Sequence, residues 1–312
     1  MDFQEPKSMK AHTRRNRLLG WIAVSLTISM SSIWAFWGII ENFHEGWFST
    51  SILENLFMMF IQYMSLSIIF VAIGLIALHW RKIGLTIFSI IAIWLAIFFS
   101  FGHFAVVGIM IVIPFIGLGL LFFFGKLPAS SIKKARLGII LIPLAVSIIA
   151  GIPGAWRVSQ RVDDGDYGTR IVEGDGITLI WAPSGPGWPD GGISWYEAQN
   201  ISLFLAENGT TLMKTPQNIW RVPSVDEIVR SQCLHGTQVG GVWNNYTKTA
   251  SYNKIPDKET PLWKVHSKVI YYWTSTEISE SESYYITYSG SVYSRYKYDD
   301  YPYLSFRAVK DL

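Results

Sequence analysis

Cysteine is almost absent from the chain, which has a single one, Cys233, among 312 residues. A lone cysteine excludes an intrachain disulfide, even in an oxidising compartment. Cys233 follows a predicted helix and has only His235 nearby as a polar neighbour of interest, so we interpret it as a buried small side chain rather than a nucleophile. Any folded region must therefore be held together by packing alone, for which about 150 residues suffice.

Charged side chains are nearly missing from the first half of the chain. Between Leu18 and Ala155 they occur only in short clusters, whereas the chain from Arg157 onward is polar, aromatic and rich in glycine. The net charge is only +3, and the basic residues form no stripe. This excludes the electrostatic footprint of a nucleic-acid-binding protein. It also predicts a membrane half followed by a water-soluble half.

Five apolar stretches approach the ~20 residues that a helix needs to cross a bilayer. They cover residues 18–40, 56–78, 83–100, 104–124 and 137–155, and the third and fourth form a predicted helical hairpin. None of the five contains Asp, Glu, Lys or Arg. Because transport and proton relay usually require an ionisable side chain inside the membrane, we expect an anchoring bundle rather than a transporter.

Lysine and arginine are confined to alternate loops, and this sets the predicted orientation. The tail at residues 1–17 is basic, the loop at 41–55 has glutamates but no Lys or Arg, and basic residues return at 81–82 and 126–136. Five crossings from a cytoplasmic start leave residues 156–312 outside. We expect a multi-pass protein of the plasma (inner) membrane in a bacterial envelope, with a periplasmic or extracellular C-terminal domain.

Two capping-box patterns, Ser194 with Glu197 and Ser224 with Glu227, predict two helices in the soluble half. Strand patterns follow at residues 269–275, 284–289, 292–298 and 304–309. The loop at 182–192 is too rich in Gly and Pro for a helix or a central strand. Two helices followed by an antiparallel sheet predict an α+β domain.

Five short motifs occur in order along this half. They are Asp164–Thr169 with Gly176 and Trp181, then Ser194–Ala198, Trp220–Ser224 with Glu227, Tyr272–Thr276 and Phe306–Val309. This order resembles the Lcl C-terminal domain family, which is related to the formylglycine-generating-enzyme-like branch of the C-type-lectin-like fold. The resemblance covers about half the chain and implies a two-helix, mixed-sheet domain. The expected fold class is thus a multi-pass α-helical membrane bundle followed by an α+β C-type-lectin-like domain.

We interpret the motif residues as structural. Trp220 and Trp273 are expected in the core, and Arg221 and Arg307 are expected to bind carboxylates or backbone carbonyls. The full set is Trp181, Trp195, Glu197, Trp220, Arg221, Pro223, Glu227, Trp273, Ser275, Thr276 and Arg307. Enzymes of the formylglycine-generating type, as the resemblance implies, need a pair of cysteines. A single cysteine therefore predicts a non-catalytic protein without a cofactor.

The resemblance also implies a long irregular excursion that carries the ligand face, here residues 235–268. Its candidate ligand-binding residues are Trp243, Asn244, Asn245, Tyr246, Tyr252 and Trp263. Aromatic faces beside amide donors and acceptors suit a sugar or a peptide. The alternative is that these aromatics turn inward and hold the loop.

Asp163, Asp164 and Asp166 are weak calcium candidates, because Gly168 occupies a ligand position and no Glu completes the site. An Asp-rich turn explains them better, and no metal is expected. The predicted function is a membrane-anchored module that binds a glycan, a peptide or an envelope protein. The alternatives are a diverged enzyme on this fold and a sensor or regulatory subunit of a membrane complex.

Overall fold

The computed structural model describes residues 7–101 and 105–312, without the side chains of residues 7–12, 98–101 and 105–111. The chain divides into two compact units. The helices up to His44 and from Leu53 to Ala155 form the first unit, while Glu45–Ile52 and Trp156–Leu312 form the second.

Helices make up the first unit. They are α1 Lys7–His44, α2 Ile52–Met58, α3 Ser65–His79, α4 Arg81–Phe101, α5 Ala105–Phe124 and α6 Ala129–Ser159. The prediction of one helix over residues 56–78 is wrong. A π-helical turn, Met59–Tyr63, follows α2, and the chain bends by 62° before α3. A π turn spaces its hydrogen bonds one residue wider than an α-helix, which disrupts a straight helix.

Within the described part of the chain, two helices are long and apolar enough to cross a membrane, namely Thr13–His44 and Ala129–Ser159. The bent pair α2 and α3 makes a third if it counts as one span. Helices α4 and α5 cover most of the third and fourth predicted spans. Gly102 and His103 of the predicted hairpin turn, the first residue of the fourth predicted span and the first six residues of the basic tail lie outside the described residues.

One apolar core joins the helices of the first unit. Buried side chains from five helices meet in it, among them Val24, Phe70, Phe88, Phe122 and Ile139. Glycines bring the backbones close together: a Cβ on Gly74 would lie 2.5 Å from Thr27, and one on Gly84 would lie 2.4 Å from Ala77. Small residues at such crossings are typical of helix packing in membranes.

The second unit contains two helices and two small sheets. The helices are α7 Trp195–Phe204 and α8 Val225–Ser231, and the strands are β1 Arg170–Gly174, β2 Ile177–Trp181, β3 Cys233–Leu234, β4 Thr237–Gln238, β5 Val242–Asn244, β6 Thr249–Ser251, β7 Tyr271–Glu277, β8 Glu282–Thr287, β9 Val292–Tyr296, β10 Leu304–Ser305 and β11 Val309–Asp311. One sheet has the order β1-β2-β11 and the other β10-β7-β8-β9, beside the hairpins β3-β4 and β5-β6.

The sheets differ from the predicted antiparallel arrangement in two ways. Strand β10 pairs parallel to β7, so that sheet is mixed. The predicted strand at 304–309 is two strands in different sheets, because the chain crosses from β7 to β2 between them. The three residues at the crossing, Phe306, Arg307 and Ala308, are fully buried. Alternation of apolar residues does not reveal a crossing that is buried throughout.

Both predicted capping boxes are present. The Ser194 and Ser224 side chains cap α7 and α8, and the Glu197 and Glu227 carboxylates accept from the two cap backbones. Glu227 additionally accepts from both terminal nitrogens of Arg221, each at 2.7 Å. Burial opposes ionisation of Glu227, but the hydrogen bonds from Arg221 and Ser224 outweigh it and lower the pKa of the carboxyl group.

The first prediction concerns acid stability. The lowered pKa of Glu227 means that its ionised form stabilises the fold fully above the unfolded-state pKa, near 4.5, and that this contribution is lost as the pH falls through the folded-state pKa. Glu227→Gln should cost about 1–3 kcal/mol at pH 7, as expected for hydrogen bonds to a charged group. Thermal unfolding of the full chain in detergent, followed by near-UV circular dichroism, measures both effects. An unchanged acid slope in the variant would contradict the assignment.

Candidate functional site

The predicted ligand excursion contains the β5–β6 hairpin, and its tip is exposed. Asn244 Oδ1 accepts from the backbone N–H groups of Tyr246, at 2.9 Å, and Thr247, at 3.1 Å. Lys248 Nζ donates to Asn245 Oδ1 at 2.7 Å. The Tyr246 side chain is 99% exposed, whereas Trp243 packs edge-on against Tyr284. The structure thus brings Asn244, Asn245 and Tyr246 together at one tip, with Trp243 behind them.

The remaining two predicted ligand residues lie elsewhere. The Tyr252 hydroxyl donates to the Gly290 carbonyl at 2.9 Å, which holds the ring against the sheet. Trp263 is 1% exposed and stacks on Tyr272 with ring centroids 4.0 Å apart. A ring this deeply buried offers no face to a ligand. The prediction that Trp263 binds the ligand is therefore wrong, and Trp263 is a core residue. The alternative of inward-turned aromatics therefore holds for this position.

The motif residues join the elements of the second unit to one another. The indole nitrogens of Trp195, Trp220 and Trp273 donate to the carbonyls of Thr274, Ala206 and Ile193. Trp181 is buried in the core. Thr276 Oγ1 accepts from the Val225 N–H group, and the Pro223 carbonyl accepts from the Ser275 N–H group. Arg221 forms ion pairs with Glu227 and Asp311. Arg307 donates to two backbone carbonyls.

The weak calcium candidates form a turn that is closed by its own hydrogen bonds. Asp163, Asp164 and Asp166 each accept the backbone N–H group two residues further on. Arg170 pairs with Asp164 at 2.8 Å and with Asp166 at 3.1 Å. The hydrogen bond from Arg170 lowers the pKa of Asp164, and burial opposes this shift. These carboxylates are used by the turn, and no group of three or more potential metal ligands occurs among the described residues.

A cleft of about 590 Å³ lies next to this turn, and sequence reasoning missed it. We call it the Lys264 cleft; its polar lining is Tyr167, Ser184, Asp190, Lys264, His266, Ser267 and Lys268. Phe48, from the Glu45–Ile52 segment that belongs to this unit, adds an aromatic wall. Its volume falls within the range typical of small-ligand sites.

Lys264 is the buried centre of the cleft, with only 8% of its side chain exposed. Its ammonium contacts three oxygens: Ser184 Oγ at 2.6 Å, Asp190 Oδ1 at 2.9 Å and the Trp188 carbonyl at 3.1 Å. Burial lowers the pKa of Lys264, and the hydrogen bond to Asp190 opposes that shift. Three acceptors match the three N–H bonds of an ammonium, so the geometry is that of a charged lysine.

The rim of the cleft has charges of both signs. His266 Nε2 lies 3.7 Å from an Asp163 carboxylate oxygen, and the Tyr167 hydroxyl donates to the same carboxylate at 2.7 Å. Lys268 is exposed, and its Nζ lies 5.4 Å from the centre of the Phe48 ring. Because cations and carboxylates alternate beside aromatic rings, the cleft offers donors and acceptors to a polar ligand.

No local sequence pattern points to this cleft. Residues 265–268 form turns and bends rather than an extended strand, and the consecutive residues His266, Ser267 and Lys268 all line the cleft. The other contributors, Tyr167, Ser184 and Asp190, are about 75 to 100 residues away in the chain. No local pattern joins such distant residues.

Comparisons of the chain with protein-family models, with characterised proteins and with solved structures found no match. The candidate site therefore has to be judged on its own chemistry.

The second prediction separates a core role from a ligand role for the excursion. Trp263→Ala should destabilise the protein by about 3–5 kcal/mol, because it removes a fully buried ring. Tyr246→Ala, at the exposed tip, should stay within about 0.5 kcal/mol of the wild type. Thermal unfolding of both full-length variants in detergent measures the difference. Equal stabilities would show that Trp263 is not a core residue.

Proposed function

We propose that this protein is a membrane-anchored recognition module, whose helices hold a folded C-terminal unit at the membrane surface and whose Lys264 cleft binds the ligand. The observation that carries the proposal is this cleft, where Lys264 is fixed by three oxygens and the rim offers His266 and Lys268. Because Lys264 already donates to three protein oxygens, it fixes the shape of the cleft, and the rim residues His266 and Lys268 beside the aromatic walls supply the polar contacts that orient a bound ligand.

The two-unit division supports membrane anchoring. Apolar helices of membrane length lie in one unit, and the sheets and polar residues lie in the other. Five crossings with an outside C-terminal unit remain the proposed topology. The segment Glu45–Ile52 supports it, because this acidic loop, predicted to be outside, groups with the C-terminal unit. The C-terminal unit would then lie in the periplasm or outside the cell.

A C-type-lectin-like fold of the Lcl C-terminal type is the proposed class of the second unit. The two helices, the mixed sheet with β10 parallel to β7, and the long excursion between α8 and β7 support this proposal. The ligand classes that suit the cleft are a glycan, a peptide or an envelope protein, because each presents hydroxyl or amide groups together with apolar faces.

The third prediction tests recognition. Full-length protein in lipid nanodiscs is screened against glycan and peptide arrays, and the hit is titrated against variants. Lys268→Ala should weaken binding about tenfold or more, equivalent to ~1.4 kcal/mol, because it removes an exposed charge from the rim. Lys248→Ala, which removes an exposed charge from the hairpin tip, is the matched control and should have no effect.

The same hit should bind intact cells that express the protein. Loss of binding with Lys248→Ala or Tyr246→Ala, but not with Lys268→Ala, would show that the ligand binds at the hairpin tip and not in the cleft. Binding that requires lysed cells would overturn the outside location.

A diverged enzyme is the second candidate, and one contact favours it. Ser184 Oγ lies 2.6 Å from Lys264 Nζ, and serine with a neutral lysine is a known nucleophile and base pair. Two further acceptors on Lys264 argue for an ammonium, which cannot take a proton from Ser184. Cys233 is not a better candidate nucleophile than Ser184, because burial raises the pKa of its thiol to about 12 and keeps it protonated.

The fourth prediction decides between these candidates. A fluorophosphonate probe, which reacts with activated serines, should leave Ser184 unlabelled in the full-length protein at neutral pH, because its partner lysine is charged. Mass spectrometry of the digested protein locates any adduct. Labelling of Ser184 that disappears in Lys264→Met would establish a catalytic pair and replace the recognition proposal.

A further inference from the structure

A second cleft, of about 410 Å³, lies where the C-terminal unit begins. We call it the Trp156 cleft. Its walls are the apolar side chains of Trp156, Leu234, Ile255 and Pro256, and Arg157 lies among them. All of these residues belong to the second unit.

Two of the wall residues are exposed to an unusual degree. Trp156 is 68% exposed and Ile255 is 75% exposed, so that two large apolar side chains face outward around the same cleft. Isolated exposed apolar residues are common, but a cluster around a concave site marks a binding surface. The exposed side chains of Trp156 and Ile255 therefore indicate that the cleft binds an apolar group.

The floor of the cleft is ionic but internally paired. Arg161 donates twice to Asp257 Oδ1, at 2.9 and 3.1 Å, with both side chains almost fully buried. Glu259 accepts from the backbone N–H groups of Val162 and His235, at 3.0 and 3.1 Å. Because these groups already satisfy one another, the floor offers little to a highly charged soluble ligand.

Arg157 is a more exposed cation of the same cleft. The Arg157 side chain is 43% exposed; its Nε lies 3.6 Å from Asp257, and Nη2 donates to the Tyr288 hydroxyl at 3.2 Å. Arg157 is thus oriented by its neighbours, and its partly exposed side chain lines the cleft. An oriented guanidinium beside apolar walls matches a phosphate that carries hydrocarbon chains.

The position of the cleft along the chain identifies where that ligand comes from. Trp156 and Arg157 directly follow the apolar stretch that ends at Ala155, and both lie in the same helix, α6. Tryptophan and arginine at the end of a membrane helix lie at the headgroup level of a bilayer. Ile255, from a loop that is distant in sequence, lines the same cleft as Trp156.

We propose that the Trp156 cleft binds a phospholipid of the surrounding bilayer, with its phosphate at Arg157 and its glycerol and upper acyl carbons against Trp156 and Ile255. The proposal rests on the membrane anchoring in the proposed function, but not on recognition by the Lys264 cleft or on which side of the membrane the C-terminal unit lies. It assigns a membrane-contacting role to the loop that carries Ile255.

Site-directed fluorescence tests the proposal in the full-length protein. Ile255→Cys is labelled with the environment-sensitive dye NBD under native conditions and reconstituted into phosphatidylcholine nanodiscs. Cys233 is buried, and the unsubstituted protein serves as the check that it takes no label. Tyr246→Cys, at the exposed tip of the β5–β6 hairpin, is the matched control. Lys254→Cys, the exposed neighbour of Ile255, is the second probe if Ile255→Cys folds poorly.

The expected result is blue-shifted emission at position 255, quenched by lipids with a nitroxide on the headgroup or on a shallow acyl carbon and protected from aqueous iodide. The label at position 246 should show the reverse. Quenching of both positions by iodide, with no effect of nitroxide lipids at position 255, would overturn the proposal. Nanodiscs expose both membrane faces, so this result is independent of topology. Labelling of Tyr246→Cys on intact cells by an impermeant maleimide tests the outside location separately.

Discussion

The buried guanidinium of Arg307 is the constraint on which the C-terminal unit depends. A charge removed from water without a carboxylate partner is costly unless other groups replace its hydration. Here Nε and Nη1 donate to the carbonyls of Ala182 and Pro261, Nη2 is buried without a hydrogen-bond partner among the described residues, and the centroid of the Trp188 ring lies 3.5 Å from the guanidinium carbon. Burial lowers the pKa of Arg307 to about 9, which still leaves it charged at neutral pH. Segments far apart in sequence must therefore keep fixed positions around one residue.

The same arrangement sets the electrostatics of the Lys264 cleft. Trp188 lies between the core and the cleft: its ring contacts Arg307, Lys264 Nζ lies 4.9 Å from its centroid, and its carbonyl accepts from that ammonium. The charge of Arg307 adds to the burial that lowers the pKa of Lys264, and Asp190 opposes both. The cleft is thus preorganised by the core, since moving Lys264 would disturb the ring on which Arg307 stacks.

Local features of this fold were predictable from sequence, and long-range features were not. Both capping boxes are confined to four residues, and helices α7 and α8 begin where the Ser and Glu pattern predicts. The sequence predicts one strand through Phe306–Ala308, because these residues are buried on every side and their pattern shows no period that would reveal the crossing. Trp263 and Lys264 illustrate the same limit. They are adjacent in the chain, yet one lies in the core and the other in a cleft, and only contacts with Tyr272 and Ser184 distinguish them.

The two clefts of the C-terminal unit differ in chemistry, but each is lined by a residue close to a point where the chain passes from one unit to the other. Phe48, in the segment between α1 and α2, lines the Lys264 cleft, and Trp156, within α6, lines the Trp156 cleft. Each cleft is therefore lined by a residue that lies inside an apolar helix or within four residues of one. Ligand binding can shift an equilibrium only by its differential affinity for two states. Among the residues that line the two clefts, Phe48 and Trp156 lie close in sequence to the apolar helices. Under the proposed function, a ligand that favours one of two states of the chain would act through contacts with these two side chains.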